Sequence, residues 1–485
     1  MNSQDLQESK RFQGPIVVDL DGTLVDSDLL VEAYFLYLRQ HPLSFLSPFY
    51  WLRRGKSYLK NRLTDHATPD ASTLPYNPEL MEWLRSRKAE GRRLVLATAS
   101  DQRVAQAVAD YLGLFDEVIG TTETNLSSHE KARQLVERFG HGGFEYVGNA
   151  KADVAVWQVA DIAHVVNPEA GVLTRARRTG DVGQVIHTRP PYLKTLAKTL
   201  RLHQWAKNLL LFVPLLASHR LGDPTLWLSG LIAFLAFGCT ASSVYLLNDL
   251  LDLPDDRRHG TKSRRPLAAG RFPIKHALGW IPALLLLAFG LSILTLPIPF
   301  VGLLALYYVM TLSYSLWLKR QVMLDVVTLA LLYTLRVIAG AAAMSLVATF
   351  WILAFCTFIF LSLALLKRYT ELWDAREQGK SDKTGGRGYR PADFELLASL
   401  GGSAGYLSVL VLALYIRESE HSGLYPSPER MWLACPLLLY WLSRAWLIAH
   451  RGEMHHDPIV FALRDRTSRW TGLLMGVAFA LASLS

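Results

Sequence analysis

The sequence predicts a two-part chain: an N-terminal α/β doubly wound domain with a helical cap, then a C-terminal all-α membrane domain of about nine transmembrane helices. Three observations predict it. Hydrophobic residues make up 51% of the 485-residue chain, yet roughly the first 190 residues read as soluble, so the apolar excess lies downstream. Within the head, short apolar runs alternate with helix-like segments and Gly-rich turns. Beyond residue 203, long apolar runs follow one another with charged loops between them. The expected divisions are 1–185 for the head (cap roughly 29–90), 186–202 for a linker and 203–485 for the membrane domain.

The bulk numbers exclude several classes. Net charge is +9, which in a membrane protein reflects loops on the cytoplasmic side, and no nucleic-acid motif is present. Cys239, Cys356 and Cys435 all lie in apolar runs without a CxxC, so no disulfide framework is expected. The N-terminus, MNSQDLQESKRFQ, lacks the apolar core of a signal peptide, so the head is expected to stay where it is made.

The head opens with GPIVVDLDGTLVDSD, an apolar run ending in Asp-x-Asp. A run of that length fits a strand buried on both faces of a parallel sheet. RRLVLATAS follows the helix-like PELMEWLRSRKAEG, and FEYVGNA follows HEKARQLVERFG. Ligands of such folds bind beyond the carboxyl ends of the strands, which here carry Asp19, Asp21, Thr98, Asn149 and Asp153, with Lys131 on the preceding helix. A carboxylate can attack phosphorus, and a second carboxyl two residues on can protonate the leaving alkoxide. A lysine and a divalent metal would offset charge on the transferring group. Between the first two motifs, VEAYFLYLRQHPLSFLSPFYWLRRGKSYLKNRL reads as an inserted helical cap. Its aromatics, with Arg53, Arg54, Lys56 and Lys60, fit either a membrane surface or burial against the sheet.

These residues resemble the haloacid dehalogenase (HAD) superfamily of phosphohydrolases across the whole head. The resemblance implies Asp19 as nucleophile, Asp21 as acid/base, and Thr98 and Lys131 on the phosphate. It further implies Mg²⁺ held by Asp19, the Asp21 carbonyl and the Asn149/Asp153 loop. The family usually has Asp where Asn149 stands, so one charge is missing. A degenerate head kept for docking or regulation remains an alternative.

The membrane part has nine candidate spans, at 203–219, 224–247, 274–296, 298–316, 323–345, 348–366, 395–416, 430–449 and 470–485. Loops after the even spans carry the Lys and Arg, and loops after the third and fifth carry none. The bias places the even loops and the head in the cytoplasm and the C-terminus on the other side of a bacterial-type inner membrane. The most informative stretch is NDLLDLPDDRRHGTKSRRPLAAG, Asn248 to Gly270. Asn248, Asp252 and Asp256 recur every fourth residue, beside Asp249 and Asp255, which on a continuing helix puts them on one face. Oxygen ligands suit Mg²⁺ shared with substrate phosphates, and Arg257, Arg258, Lys262, Arg264, Arg265, Arg271 and Lys275 follow. A solvated basic loop would explain the bases but not the spaced acids. Pro254 is expected to kink the helix between Asp252 and Asp256. Other polar residues at the same face are Lys207 and Asn208, then Lys367, Arg368, Glu371 and Asp374, and Asp457, Arg464 and Asp465. In the fifth span Asp325, Thr328, Tyr333 and Arg336 lie near one face, and a mid-span Arg336 points to a polar cavity or to a structural ion pair.

Nine spans with NDxxDxxxD after the second resemble the UbiA-type intramembrane prenyltransferase family. Members ordinarily carry a second Asp-rich motif after the sixth span, where this chain has Lys367-Arg368-Tyr369-Thr370-Glu371. QWAKN, NDxxDxxxDRxHxxKxxRPLAAG, YSLWLKR, LDVxxLAxLYTLR, KRYxEL and DPIVFALRDR resemble one branch, the decaprenyl-phosphate phosphoribosyltransferases. That resemblance implies a polyprenyl phosphate acceptor and 5-phosphoribosyl 1-diphosphate (PRPP) as donor. Asp249, Asp252 and Asp256 would then hold Mg²⁺ on the leaving diphosphate. Lys207, Asn248, Arg257, Lys262, Arg265, Tyr333, Arg336, Lys367, Arg368 and Glu371 would be substrate-binding. The head would remove the product's 5-phosphate. An aromatic prenyltransferase using a prenyl diphosphate, a transporter or scaffold with an inactive head, and a head acting on an unrelated soluble substrate stay open, as does the oligomeric state.

Overall fold

The apolar runs of the head become the strands of one parallel sheet. A computed structural model describes residues 14–483 apart from 124, 219, 378–387, 423–426 and 455–457. Asp457, part of the loop after the sixth span and the polar N-terminus therefore lie outside the described residues. By internal packing the chain divides into two units, Met1–Arg201 with Tyr245–Ile281, and Leu202–Val244 with Pro282–Ser485.

In the first unit the strands are β1 (Ile16–Val18), β2 (Leu94–Asp101), β3 (Glu117–Thr121), β4 (Glu145–Gly148), β5 (Ile162–Val166) and β6 (Asp181–Ile186). Their order is β3-β2-β1-β4-β5-β6, with every pair parallel. Helices cover both faces, giving one core around Ile16, Val18, Leu94 and Leu96 and another around Val17, Val95, Tyr146 and Trp157. Alternate residues of one strand thus feed opposite cores, which is why β1 is apolar throughout. The sheet makes this the doubly wound α/β fold expected of the head.

Sequence reading finds β1, β2 and β4 but misses the rest. The stretch expected as a linker begins inside β6 and contains a helix, Tyr192–Thr199. The reason is position: β6 is an edge strand, half of its residues exposed along DVGQVI, and needs no apolar run. The cap consists of three helices, α1 (Leu29–Gln40), α2 (Ser47–Leu52) and α3 (Lys56–His66), around a small core of Ala33, Tyr37, Leu63 and Ala67.

In the rest of the chain, seven helices among the described residues are long and apolar enough to cross a membrane. They coincide with the second to eighth expected spans. The first expected span is instead a 3₁₀ segment, Leu202–Phe212, followed by Val213–Ala217, and the last is the helix Arg466–Ser483. Leu324–Ala343 is 72% buried over its apolar window, whereas Ile298–Leu316 is 22% buried. The former is internal and the latter is left for lipid, which explains why polar side chains gather on the former. Gly340 fixes its packing, because a Cβ there would stand 2.0 Å from the Leu211 carbonyl oxygen. This contact brings Leu202–Phe212 against Leu324–Ala343 and so brings Asn208 to Arg336.

Candidate functional sites

The first site is built at the carboxyl end of β1. Asp19 and Asp21 follow the strand, and Gly22 (φ 76°) turns the chain where a Cβ would meet Asn149 Nδ2 at 2.5 Å. Only glycine fits that conformation and that gap. Lys131, buried on the helix His129–Phe139, reaches Asp19 Oδ1 at 2.7 Å and the Tyr146 hydroxyl at 2.9 Å. That hydroxyl donates to Asp153 Oδ1 at 2.9 Å. Asp153 Oδ2 accepts from the backbone of Asn149 and Ala150, both at 2.9 Å. Asn149 Oδ1 accepts from the Thr23 hydroxyl at 3.3 Å. Thr98 is fully buried, its hydroxyl accepting from the Ser100 amide at 3.0 Å.

Electrostatics separate the two aspartates. Burial pushes Asp19 up to about 7, with Lys131 opposing and Asp153 adding to the rise. Burial and Asp28 push Asp21 up to about 6, while the Ser100 hydroxyl at 2.6 Å and the Leu29 amide at 2.8 Å hold it down. Burial works against the Lys131 charge, but Asp19 and Asp153 outweigh it and its pKa is raised. One carboxyl is thus paired with a cation, while its neighbour is held by two neutral donors beside a second carboxylate, so the two aspartates stand in different environments.

Donor chemistry fits a hard cation in part. Asp19 Oδ2, the Asp21 carbonyl and the Asn149 amide oxygen are oxygen donors. Asp153 spends both oxygens on hydrogen bonds, so its main visible work is to hold the 149–150 loop. Among the described residues no three His, Cys, Asp or Glu side chains converge as a ready metal cluster. Sequence reading missed Ser100 and Tyr146, and named Lys60 only among the cap's bases. Lys60, from α3, donates to the Ala99 carbonyl and to Asn125 Oδ1, placing a cap amine near Asp21. Nothing in the linear sequence pairs position 60 with position 125.

The second cluster lies in Tyr245–Ile281. The helix Pro224–Leu251 ends at Asp252 (φ −99°, ψ 9°), and a short helix, Leu253–Arg258, begins there. Pro254 sits in the first turn of that helix, where its missing N–H costs nothing. The i to i−4 bonds nevertheless persist, Asp252 N to Asn248 O at 2.9 Å and Asp256 N to Asp252 O at 2.8 Å, so the acids keep a common face across the break. Asp249 and Asp256 are buried, and Arg265 bridges them at 3.2 and 2.5 Å. Arg201 also pairs with Asp249. Burial raises Asp256, against Arg265. The carboxylates are hard oxygen donors of the kind Mg²⁺ takes, and here they are engaged by Arg265 and, at Asp249, by Arg201 as well. Lys262 is exposed, and Asn248 and Asp252 are partly exposed.

Arg257 is differently employed. Both its terminal nitrogens donate to Glu32 of the cap, at 2.8 and 2.6 Å, and Nε donates to the Ala268 carbonyl at 3.1 Å. Beside this pair lie Arg39–Asp255 at 2.7 Å, Arg258–Asp70 at 2.7 Å and Lys275–Asp28 at 3.1 Å. Arg257–Glu32, Arg39–Asp255 and Arg258–Asp70 line a cleft of about 360 Å³, so its charges are mutually paired.

The helical unit carries two buried arginines. Arg336 donates to Asn208 Oδ1 at 3.1 Å, the Leu332 carbonyl at 2.6 Å and the Tyr307 hydroxyl at 2.9 Å. It lies over the rings of Tyr307 and Tyr333, and Lys207 is 6.0 Å from the Tyr333 ring. No carboxylate pairs with it among the described residues, which sets aside the structural ion pair expected as one reading. Asn208 Nδ2 is buried without a partner there. Arg368, by contrast, is held by Asp325 and Glu371 and by the Tyr314 hydroxyl at 2.8 Å. Tyr389 donates to the other oxygen of Asp325 at 2.6 Å. Lys367, the residue before Arg368, is half-buried.

Comparison with known proteins gives the family. The UbiA prenyltransferase family model matches residues 209–470, and a haloacid dehalogenase-like hydrolase model matches 16–157. The chain belongs to the UbiA prenyltransferase family and carries a HAD-like hydrolase domain at its N-terminus. It is 36% identical to "Uncharacterized protein y4nM" of Sinorhizobium fredii over 96% of this chain and 91% of that one. It is 35% identical to "Nodulation protein NoeC" of Azorhizobium caulinodans over 59% of this chain and 93% of that one. It is 30% identical to a decaprenyl-phosphate phosphoribosyltransferase of Mycobacterium tuberculosis over 58% of this chain and 91% of that one. The similar solved structures include a UbiA homologue from Archaeoglobus fulgidus bound to GPP and Mg²⁺, 16% identical over 59% of this chain and 98% of that chain, with a TM-score of 0.44. The apolar helices and the family make it a multi-pass membrane protein.

Proposed function

We infer that the chain is a bifunctional membrane enzyme. Its UbiA part transfers 5-phosphoribosyl from PRPP to a polyprenyl phosphate of decaprenyl type, releasing diphosphate. Its head then removes the 5-phosphate, leaving polyprenyl-phosphoryl ribose as a pentose donor for cell-envelope glycans. The observation that carries this reading is the 30% identity to decaprenyl-phosphate phosphoribosyltransferases, which covers 91% of the M. tuberculosis relative. The basic KRYTE sequence in place of a second Asp-rich motif agrees with it.

In the transfer, an oxygen of the lipid phosphate attacks the anomeric carbon of the ribose. The C–O bond to the diphosphate breaks as the new C–O bond forms. The attacking group is already anionic, so no strong base is required. Asp249, Asp252 and Asp256 are the residues that would hold Mg²⁺, and Asn248, Lys262 and Arg265 are the neighbouring candidates for the diphosphate. Magnesium, when bound, supplies positive charge against the departing diphosphate. In the helical unit Lys207, Tyr333, Arg336, Lys367, Arg368 and Glu371 are the candidates for substrate. Arg336 is favoured among them, because every group it touches is neutral and an anion would complete it. Arg257 is the weakest of the original candidates, since Glu32 and Ala268 occupy its nitrogens.

In the head, one carboxylate oxygen of Asp19 attacks phosphorus and the bond to the ribose oxygen breaks. Asp21 gives its proton to that oxygen and later takes one from the water that cleaves the aspartyl phosphate. Lys131 and Thr98 hold the phosphoryl oxygens. Asp19, the Asp21 carbonyl, Asn149 and Asp153 are the candidate metal residues. Both activities are assigned to the cytoplasmic side from the Lys and Arg distribution.

The test is purified protein with polyprenyl phosphate and PRPP labelled in the ribose, followed by separation of the lipids. Wild type should yield labelled lipid without the 5-phosphate, and Asp19→Asn should accumulate the phosphorylated lipid. Equal products from both would remove the phosphatase role. Turnover of a prenyl diphosphate with an aromatic acceptor, and none of PRPP, would replace the transferase reading.

A further inference from the structure

We propose that the cap segment 41–56 is a membrane-surface anchor that seats the head on an anionic lipid leaflet. Between α1 and α3 the chain forms a 3₁₀ turn, Pro42–Ser44, and the helix α2. The inner side of this hairpin is filled, for Trp51 and Leu59 pack on the small core of Ala33, Tyr37, Leu63 and Ala67. Its other large apolar side chains point outward. Leu43 is 96% exposed, Leu46 62% and Phe49 60%, with Phe45, Tyr50 and Leu52 also exposed. The hairpin therefore does not expose these groups for want of a core. It has one, and it displays a second apolar face besides. Apolar patches of that kind on an otherwise satisfied domain mark an interaction surface.

Charge selects lipid as the occupant. No Asp or Glu occurs between His41 and Lys56, and the apolar residues run directly into exposed Arg53, Arg54 and Lys56. Arg54 is fixed beside the aromatics, 5.7 Å from the Tyr50 ring and 5.4 Å from the Tyr58 ring, with a hydrogen bond to the Tyr58 hydroxyl at 3.3 Å. Leucine and aromatic side chains rimmed by Arg and Lys are the composition that enters an interface while the bases meet anionic headgroups. The chain is already membrane-bound through its spans, so even a weak contact of this kind is highly populated. The anchor would hold the Asp19 site close to lipid headgroups, whichever ester the head cleaves.

The test uses the full chain in lipid nanodiscs. Leu46→Cys is labelled with an environment-sensitive fluorophore; Cys239, Cys356 and Cys435 are buried and stay unlabelled. Arg85→Cys, at an exposed position on another part of the head, is the control. Quenching by spin-labelled lipid should be strong at position 46 and weak at 85 in phosphatidylglycerol discs. Populations at the surface should fall by about fivefold or more in zwitterionic discs, or with Arg53→Glu and Arg54→Glu together, as expected for loss of two basic contacts. The charge-reversed protein counts only if its thermal transition matches wild type, and the zwitterionic arm needs no variant. Equal quenching at 46 and 85 overturns the proposal. So does shielding of position 46 that appears only in discs holding two copies, which would make the face a contact between copies.

Discussion

The ion pair Arg257–Glu32 joins two stretches 225 positions apart, and removing it tests how the Asp-rich segment is held. Both side chains are 5% exposed. Arg257 contributes two parallel bonds to Glu32 and a third to the Ala268 carbonyl, while Glu32 also accepts from Ser27. Arg257→Ala therefore leaves a carboxylate buried with only a serine beside it. Breaking one partner of such a pair costs about 3–5 kcal/mol, whereas exposed pairs are worth about 0–1 kcal/mol. For a unit of this size that predicts a fall of roughly 6–20 °C in the midpoint of its thermal transition. The exposed pair Arg258–Asp70, at 58% and 44% exposure, is the internal control, and Arg258→Ala should move the midpoint by no more than about 4 °C. The double replacement Arg257→Met with Glu32→Leu should recover much of the loss, because it removes both buried charges. Thermal scans of detergent-solubilised protein compare the three variants with wild type. If Arg257→Ala shifts the midpoint no more than Arg258→Ala, the clamp is not what fixes this segment.

Three further outcomes follow from the geometry. Asp19 holds its proton up to about pH 7 before a metal binds, so rising pH through 7 frees the carboxylate and falling pH competes with Mg²⁺; affinity measured by calorimetry should drop up to about tenfold per pH unit below 7. A pH-independent affinity would show that Asp19 is not a ligand. Gly22→Ala puts a methyl 2.5 Å from Asn149 Nδ2 at a positive φ, and should abolish ester hydrolysis by the head while leaving PRPP-dependent transfer. Gly340→Ala drives a Cβ to 2.0 Å from the Leu211 carbonyl oxygen, and should do the reverse, with a loss of about 1–3 kcal/mol in the stability of the helical unit. Hydrolysis of a soluble phosphate ester and lipid labelling separate these two effects.

The sequence by itself determined the elements whose composition is forced by burial or by chemistry. β1 is apolar because both faces are covered, and the spans are apolar because lipid demands it, whereas Asp19, Asp21, Thr98 and Lys131 stand out through the resemblance of their motifs to the HAD superfamily. Edge position hid β6, since a strand with solvent on one side can be written as DVGQVI. Tertiary structure alone decided the pairings between distant positions. Pro254 reads in one dimension as a kink, yet it falls on the first turn of a new helix and the acids keep their common face. Arg257 and Arg265 look alike in the sequence, but one is spent on Glu32 and the other bridges Asp249 and Asp256. Arg336 and Arg368 are equally buried in composition terms, and only the folded chain gives Arg368 two carboxylates and Arg336 none among the described residues. The physical reason is common to all of these cases. A side chain's propensity acts on its own neighbours in sequence, whereas the partner of a buried polar group is chosen by packing, and at Arg336 a single glycine, Gly340, lets the segment carrying Asn208 come close.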